Sequence, residues 1–546
     1  MSKIPATGWT VLGAGALVCA VALSACGAKP PSKESTTAST DYTVLTPKPT
    51  TQAGDVVWAT YRETQTLDPI KAFDYPENTV DPLLCDSLLR QAPDMTLGPG
   101  IATYTAPSPT EYDFTLNAKA NFWDGSPVTA QDAVFSLQRA MSPTAGGYYP
   151  KVFDRVKSIE AVGSKTFTIH LKQPDQWLLG ELSATPGEVV QKSYVEAKGK
   201  AFGTVTGGTM CSGPFKLDSW KTGQGVTMVP NPDYWDTSLP APKVKSLTVI
   251  GVPDDATLTA GLTSGSINGD YGVGLSTLGQ LEKQSSVKAY QGAPYATVSM
   301  VISATKGPLA NVDGRRALSE ALDRQGIINT VYQGAGSIPH AAAASGTWGY
   351  AKSSFQSAYD ALPPMTQDLA KAKSDAKAAG IVGQTITIGT SSGIPSLNTE
   401  TLAIRRAAEA IGLKVKLKDV SPSNYINFFI DPKAFGSVDT FTTVNYGDYA
   451  DPAALYNSFA MPGGSQNFDG WSNAEVTKSM NAARSEADPE KRAQDVIAAQ
   501  KIITDQLAWI PMVAPNTVLV MHQDVTGPPA TFSFMFGPSA SYLGGS

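Results

Sequence analysis

One apolar run, Val11 to Leu23, carries no charge and has no counterpart in the rest of the 546 residues. Thirteen residues of helix reach only about 20 Å, short of the roughly 30 Å of a bilayer's hydrocarbon core. With Lys3 ahead of it, the run has the basic start and apolar middle of an export signal. Behind it comes GAKPPSKESTTASTDYTVLTPKPTTQAG, a Ser/Thr/Pro-rich tract with too few apolar residues to bury a core. What folds must therefore fold in water, from about residue 54 onward. Roughly 490 residues exceed a single hydrophobic core, so two or more lobes are expected.

The run ends at Leu23-Ser24-Ala25-Cys26, which resembles the lipobox of bacterial lipoproteins, where the cysteine thiol is diacylated and the bond before it is cut. That resemblance implies a signal peptide over 1–25, a lipidated Cys26, and a tether over 26–53 that holds the body at the outer face of the cell membrane. The plainer alternative is an ordinary secretory signal with Cys26 incidental. Export leads to an oxidising compartment. With Cys19 removed and Cys26 lipidated, Cys85 and Cys211 remain as an even pair and a disulfide candidate, against the alternative of two buried thiols. A net charge of −6 gives no support for a nucleic-acid partner.

Along the body, DVVWATY reads as a strand running into the breaker TLDP. In SPVTAQDAVFSLQRAM, Thr129 is placed to cap a helix with Asp132 in its first turn, and Val134, Leu137 and Met141 follow at helical spacing. TFTIHL, VTMVP and SLTVIGV read as strands, and DATLTAGLTSGSING as a short helix stopped by glycine. TITIGT, TETLAIRRAAEAIG and LKVKLKDV form a strand, helix, strand succession. The fold class is α/β.

The stretches NFWDGSPVTAQDAVFSLQRAM, CSGPFKLDSW, NPDYWD, GRRALSEALDRQGIINTVYQG, YGDYADP and FDGWSNAEVTKSMNAAR occur in an order and spacing similar to the extracellular solute-binding proteins of the peptide/nickel type, the receptors of ABC importers. The resemblance covers about residues 54–546. It implies a two-lobe periplasmic-binding-protein-like clamp with two crossover strands and an inserted subdomain in the first lobe. Lobe I would span 54–292 plus 512–546, with the inserted subdomain at about 103–206, and lobe II would span 293–511. The crossovers are expected near Pro294 and Pro511, with AWIPMVAPNTVLVM as a strand.

For chemistry, GTSSG (Gly389 to Gly393) matches the G-x-S-x-G elbow of serine hydrolases, but IPSLN separates it from the helical pattern. Of three histidines only His522 follows Ser391 in the chain order such enzymes use. No HExxH, Walker loop or CxxC is present, so no metal or cofactor is implied and the chain is read as a non-enzyme. VNYGDYADP is the stronger candidate. In peptide-binding relatives an acidic residue at the matching point pairs with the ligand's α-ammonium, and the preceding residues bond its backbone. By that resemblance Asp448 is the acid, and Val444, Asn445, Tyr446 and Gly447 are the edge beside the ligand. An enclosed ammonium must be neutralised, because an unpaired buried charge is costly. Turn capping is the alternative for Asp448, and helix capping is the expectation for Asp451. YRETQTLDP matches an early stretch beside the ligand, which adds Glu63 and Thr64. No arginine precedes Arg405 in SSGIPSLNTETL to fix a peptide's carboxylate. The expectation is a lipid-anchored, monomeric receptor that encloses a peptide and delivers it to ABC permease subunits. The alternatives are another polar solute (sugar, metal chelate, haem), a secreted hydrolase using Ser391, or a binding-fold protein with a regulatory role in the cell envelope.

Overall fold

In the computed structural model, which describes residues 42–272 and 275–546, strand Ala53–Thr60 lies in the middle of the first sheet. Val56 and Trp58 pack into the core on one face, and Ala59 into a second cluster on the other. Burial on both faces suits parallel pairing. The strand indeed pairs in parallel with Val244–Gly251 and with Gly269–Asp270. Seven strands follow the order Val287–Gly292, Thr517–His522, Gly269–Asp270, Ala53–Thr60, Val244–Gly251, Gly225–Pro230, Phe215–Lys221.

A second sheet of six strands has the order Gly336–Ser337, Ile510–Pro515, Thr297–Ile302, Thr440–Asn445, Thr385–Thr390, Lys414–Asp419. Each sheet carries its own cluster of buried side chains, so the molecule is a two-lobe α/β clamp. The chain passes to the second sheet between Gly292 and Thr297 and returns between Pro515 and Thr517. AWIPMVAPNTVLVM is thus two strands in two sheets, broken at Asn516. The Asn516 amide donates to Gln291 Oε1 at 2.7 Å, and Thr517 Oγ1 donates to the Ala293 carbonyl, so the two crossovers are tied side by side.

The subdomain inserted in the first lobe is a four-stranded antiparallel sheet ordered Ala102–Ser108, Glu111–Leu116, Thr166–Leu171, Val156–Ala161. Helix Ala130–Met141 starts at a complete capping box between Thr129 and Asp132, and Val134 and Leu137 enter the core. Within the first lobe, Cys85 and Cys211 form a disulfide across a sequence separation of 126.

Three local expectations differ from what is observed. Residues 42–53 are not a free tether. Thr43 N–H donates to the Gln291 carbonyl, Thr46 is buried with its hydroxyl on the Pro528 carbonyl, and Thr51 bridges to Gly545. A Thr/Pro-rich segment cannot make a core, but in extended form it offers its backbone to an open edge. The rest of the tether, 26–41, the signal peptide and Cys26 lie outside the described residues. The stretch RRALSEALDRQGI, whose pattern predicts one helix with Leu318, Leu322 and Ile327 inward, makes two helices, Val312–Ala321 and Arg324–Val331, because Asp323 caps the second by accepting the Gly326 N–H. The residues IPSLN open the helix Pro395–Ala410, with Pro395 in the first turn, where its missing N–H is harmless.

Candidate functional site

Strand Thr440–Asn445 pairs antiparallel with Thr297–Ile302, Asn445 opposite Thr297 and Val444 opposite Val298. Beyond Asn445 the chain turns through Tyr446, Gly447 and Asp448 into helix Pro452–Phe459. A side chain at Gly447 would sit 2.8 Å from the Ala454 Cβ, so the turn requires glycine. The Gly447 carbonyl accepts from the Tyr295 hydroxyl at 3.0 Å. Gln91, from the first lobe, donates its amide to the Asp448 carbonyl and accepts the Ala450 N–H, both at 3.1 Å. One side chain of lobe I therefore grips the backbone of the lobe II turn by both ends of its amide.

Asp451 caps the helix, its carboxylate accepting the Ala453 N–H at 2.8 Å. Asp448 takes no such part. Among the described residues its carboxylate makes neither a hydrogen bond nor an ion pair, and burial alone pushes it up to about 6. Across the cleft, at the end of the short helix Trp177–Glu181, the Glu181 carboxyl is raised well above its ordinary value by burial and then by the charge of Asp448. Glu181 Oε2 is shut off from solvent and meets no donor. Tyr149, Tyr295 and Tyr449 stand close enough that burial and these carboxylates raise their hydroxyls.

Tyr446 is half-buried, edge-on to Tyr75 at 5.5 Å and tilted against Phe532 at 5.2 Å, both from lobe I. Behind them Tyr295 stacks on Phe532 and Tyr271 on Phe534, an aromatic wall on the lobe I side. Asn445 is buried and Val444 is 49% exposed. Glu63 and Thr64 are engaged within lobe I: the Glu63 carboxylate accepts the Gly223 N–H and the Thr64 hydroxyl donates to the Pro76 carbonyl. Their neighbour Arg62 is held by Asp74 and Glu77. The turn from Val444 to Asp448 is thus gathered at the lobe junction. The groups around it that sequence reasoning passed over are Gln91, Glu181, Tyr149, Tyr295 and Tyr449. Only Glu181 left a signal, as the lone acid in WLLGELSA.

Ser391 is fully buried and its hydroxyl has no partner. His522 belongs to a strand of the other sheet and lies beside Asp524. His340 is stacked on Tyr359, and His170 sits half-exposed beside Glu111. Among the described residues no group of three or more His, Cys, Asp or Glu is placed to hold a metal.

The family model described as bacterial extracellular solute-binding proteins, family 5 Middle, matches residues 96–467. A probable D,D-dipeptide-binding periplasmic protein of Escherichia coli K12 is 27% identical over 436 residues, 78% of this chain and 80% of that protein. The structure of a periplasmic binding protein associated with an ABC transporter of Helicobacter pylori, in complex with the peptide STSA, superposes with a TM-score of 0.75 at 22% identity, covering 89% of this chain and 98% of the other. The oligopeptide-binding protein AppA of Bacillus subtilis, in complex with a nonapeptide, gives a TM-score of 0.75 at 20% identity over 91% of this chain and 100% of the other.

Proposed function

This chain belongs to the bacterial extracellular solute-binding proteins of family 5, and from that premise we propose that it is the peptide receptor of an ABC importer. It captures a peptide between its two lobes without covalent chemistry and hands it to permease subunits that open the lobes. Its family binds solutes and does not convert them, which sets aside a hydrolase built on Ser391. Lobe I takes residues 54–292 and 517–546, with its inserted subdomain at about 103–206, and lobe II takes 293–515, the return crossover falling at Asn516 instead of near Pro511 because Ile510–Pro515 pairs within the second sheet. The body works as a monomer, held at the outer face of the membrane by lipid on Cys26.

The observation that carries this reading is the Asp448 carboxylate, half-buried at the lobe junction with no cation beside it among the described residues. A peptide's ammonium supplies the missing charge, the strand edge from Val444 to Gly447 offers backbone bonds to the peptide, and Tyr446 closes over it. Glu63 and Thr64 lie along the lobe I side as secondary contacts. Removing one member of a buried charge pair costs roughly 3 to 5 kcal/mol, about two to four decades of affinity. Asp448→Asn should lose that much, and N-acetylation of the peptide should weaken the natural protein comparably while affecting the variant little. Calorimetric titration of the four combinations decides the matter. Additive losses would show that Asp448 and the amino terminus do not meet.

A further inference from the structure

Asp448 comes from lobe II and Glu181 from the end of helix Trp177–Glu181, which follows the inserted sheet of lobe I. That helix reaches lobe II: Trp177 is buried in the lobe II cluster, and Gly180 leaves room for the Tyr449 ring, which a Cβ there would meet at 2.2 Å. The Gly180–Tyr449 contact brings the end of this helix against the turn that carries Asp448, close enough for Glu181 to feel its charge from the opposite wall. One ligand ammonium neutralises one of the two carboxylates. Among the described residues the other groups facing the pair add no free cation: Asp175 and Asp451 are acidic, and Tyr149, Tyr295, Tyr446 and Tyr449 are phenols whose hydroxyls burial raises. The Tyr149 and Tyr295 hydroxyls donate to the Ala72 and Gly447 carbonyls. Arg484, the cation felt by Glu181, is held by Asp175 and Asp154.

We propose that Glu181 and Asp448, reaching in from opposite lobes, form one cation subsite that selects ligands with a second positive charge at the amino end, as in a peptide that begins with a basic residue. The proposal rests on the peptide-receptor reading and adds to it the identity of the first side chain. A ligand with only its α-ammonium leaves Glu181 protonated. A doubly charged one favours the ionised carboxylate, so that binding is coupled to release of a proton from Glu181.

The test exposes the protein to a tetrapeptide library randomised at every position and sequences what it retains. Lys, Arg and ornithine should be enriched at position 1 and at no other position, and Glu181→Gln should erase that enrichment while still retaining peptides. In titrations, Lys-Ala-Ala-Ala should bind about tenfold or more tightly than norleucyl-Ala-Ala-Ala, with proton release seen as a buffer-dependent heat for the lysyl peptide alone. Retained peptides without a position 1 preference, or a preference that survives Glu181→Gln, overturn the paired subsite and leave the role of Asp448 intact. Failure to retain any peptide overturns both.

Discussion

The Arg484 guanidinium of lobe II holds the Asp175 carboxylate of the inserted subdomain in a two-point grip, Nε to Oδ1 at 2.8 Å and Nη2 to Oδ2 at 2.5 Å. Asp175 is 1% exposed at its side chain, and burial outweighs the cation in setting its protonation, so its carboxyl is raised despite the contact. Asp154 completes the clasp, and Arg155 reaches back to Asn481 and Ser485. These bonds join the lobes close to Glu181, whose carboxyl feels the charges of both Asp175 and Arg484.

The clasp exists only while the lobes meet. Arg484→Gln strands Asp175 in the closed form, whereas in an open form water solvates it. The variant should lose roughly 1 to 3 kcal/mol of closure, about ten- to a hundredfold in ligand affinity, with a larger radius of gyration by solution scattering in the absence of ligand. Unchanged affinity and radius would place closure elsewhere.

The disulfide joins two fully buried cysteines in the lobe I core. Closing a loop of that length is worth about 5 kcal/mol in the chain-entropy model. The double variant Cys85→Ala, Cys211→Ala should melt well below the natural protein, and reductant should lower the natural protein's melting temperature while leaving the variant's unchanged.

Asp81 and Glu188 are buried in lobe I with all four carboxyl oxygens unpartnered. Their acidic neighbours have cations: Glu77 has Arg62, Asp68 has Arg139 and Asp86 has Arg90. Burial, then surrounding carboxylates, raises both well above the ordinary range. The folded protein keeps protons that the unfolded chain gives up near pH 4. The stability these groups contribute is complete below that pH and is lost as pH rises toward the folded values, at about 1.4 kcal/mol per pH unit for each proton retained. Melting temperature should fall from pH 5 to pH 8, and Glu188→Gln should flatten the fall. Parallel profiles would show that the pair does not titrate in this range.

Arg324 is buried without an acidic partner among the described residues. Its guanidinium donates to the carbonyls of Ser319, Met365 and Pro511 and to the Ser319 hydroxyl, and burial lowers it to about 9. Lysine cannot span three elements with one ammonium. Arg324→Lys should cost roughly 3 kcal/mol in chemical denaturation, since carbonyls are left bare; a loss near zero would show that water replaces the fork.

For attachment, Cys26→Ala should move the protein from the membrane to the soluble fraction with its fold and ligand affinity unchanged, because the proposed lipid on Cys26 is what holds it there. Membrane retention of that variant would remove the lipid from the account.

Much of the fold was legible because local chemistry and burial agreed. Thr166–Leu171 is the strand TFTIHL as read, Thr129 and Asp132 make the capping box their spacing requires, and Gly265 ends its helix in a left-handed turn. Legibility failed where the deciding partner is distant in sequence. Nothing near Leu45 announces Pro529, and nothing near Ala293 announces Thr517. The site divides the same way. The turn around Asp448 is continuous in sequence and carried its own pattern, whereas Gln91 and Glu181 act on it only because two lobes bring them there.

The strap formed by residues 42–53 has a mechanical consequence. Its hydrogen bonds run along the last residues of the chain and to strand Val287–Gly292 of lobe I, while its start at Tyr42 lies beside Trp348, Lys352 and Tyr359 of lobe II. A pull applied at Tyr42 therefore enters where the two lobes meet. Load on that segment thus reaches the jaw at its seam, where it is shared between the hydrogen bonds of lobe I and the wall of lobe II.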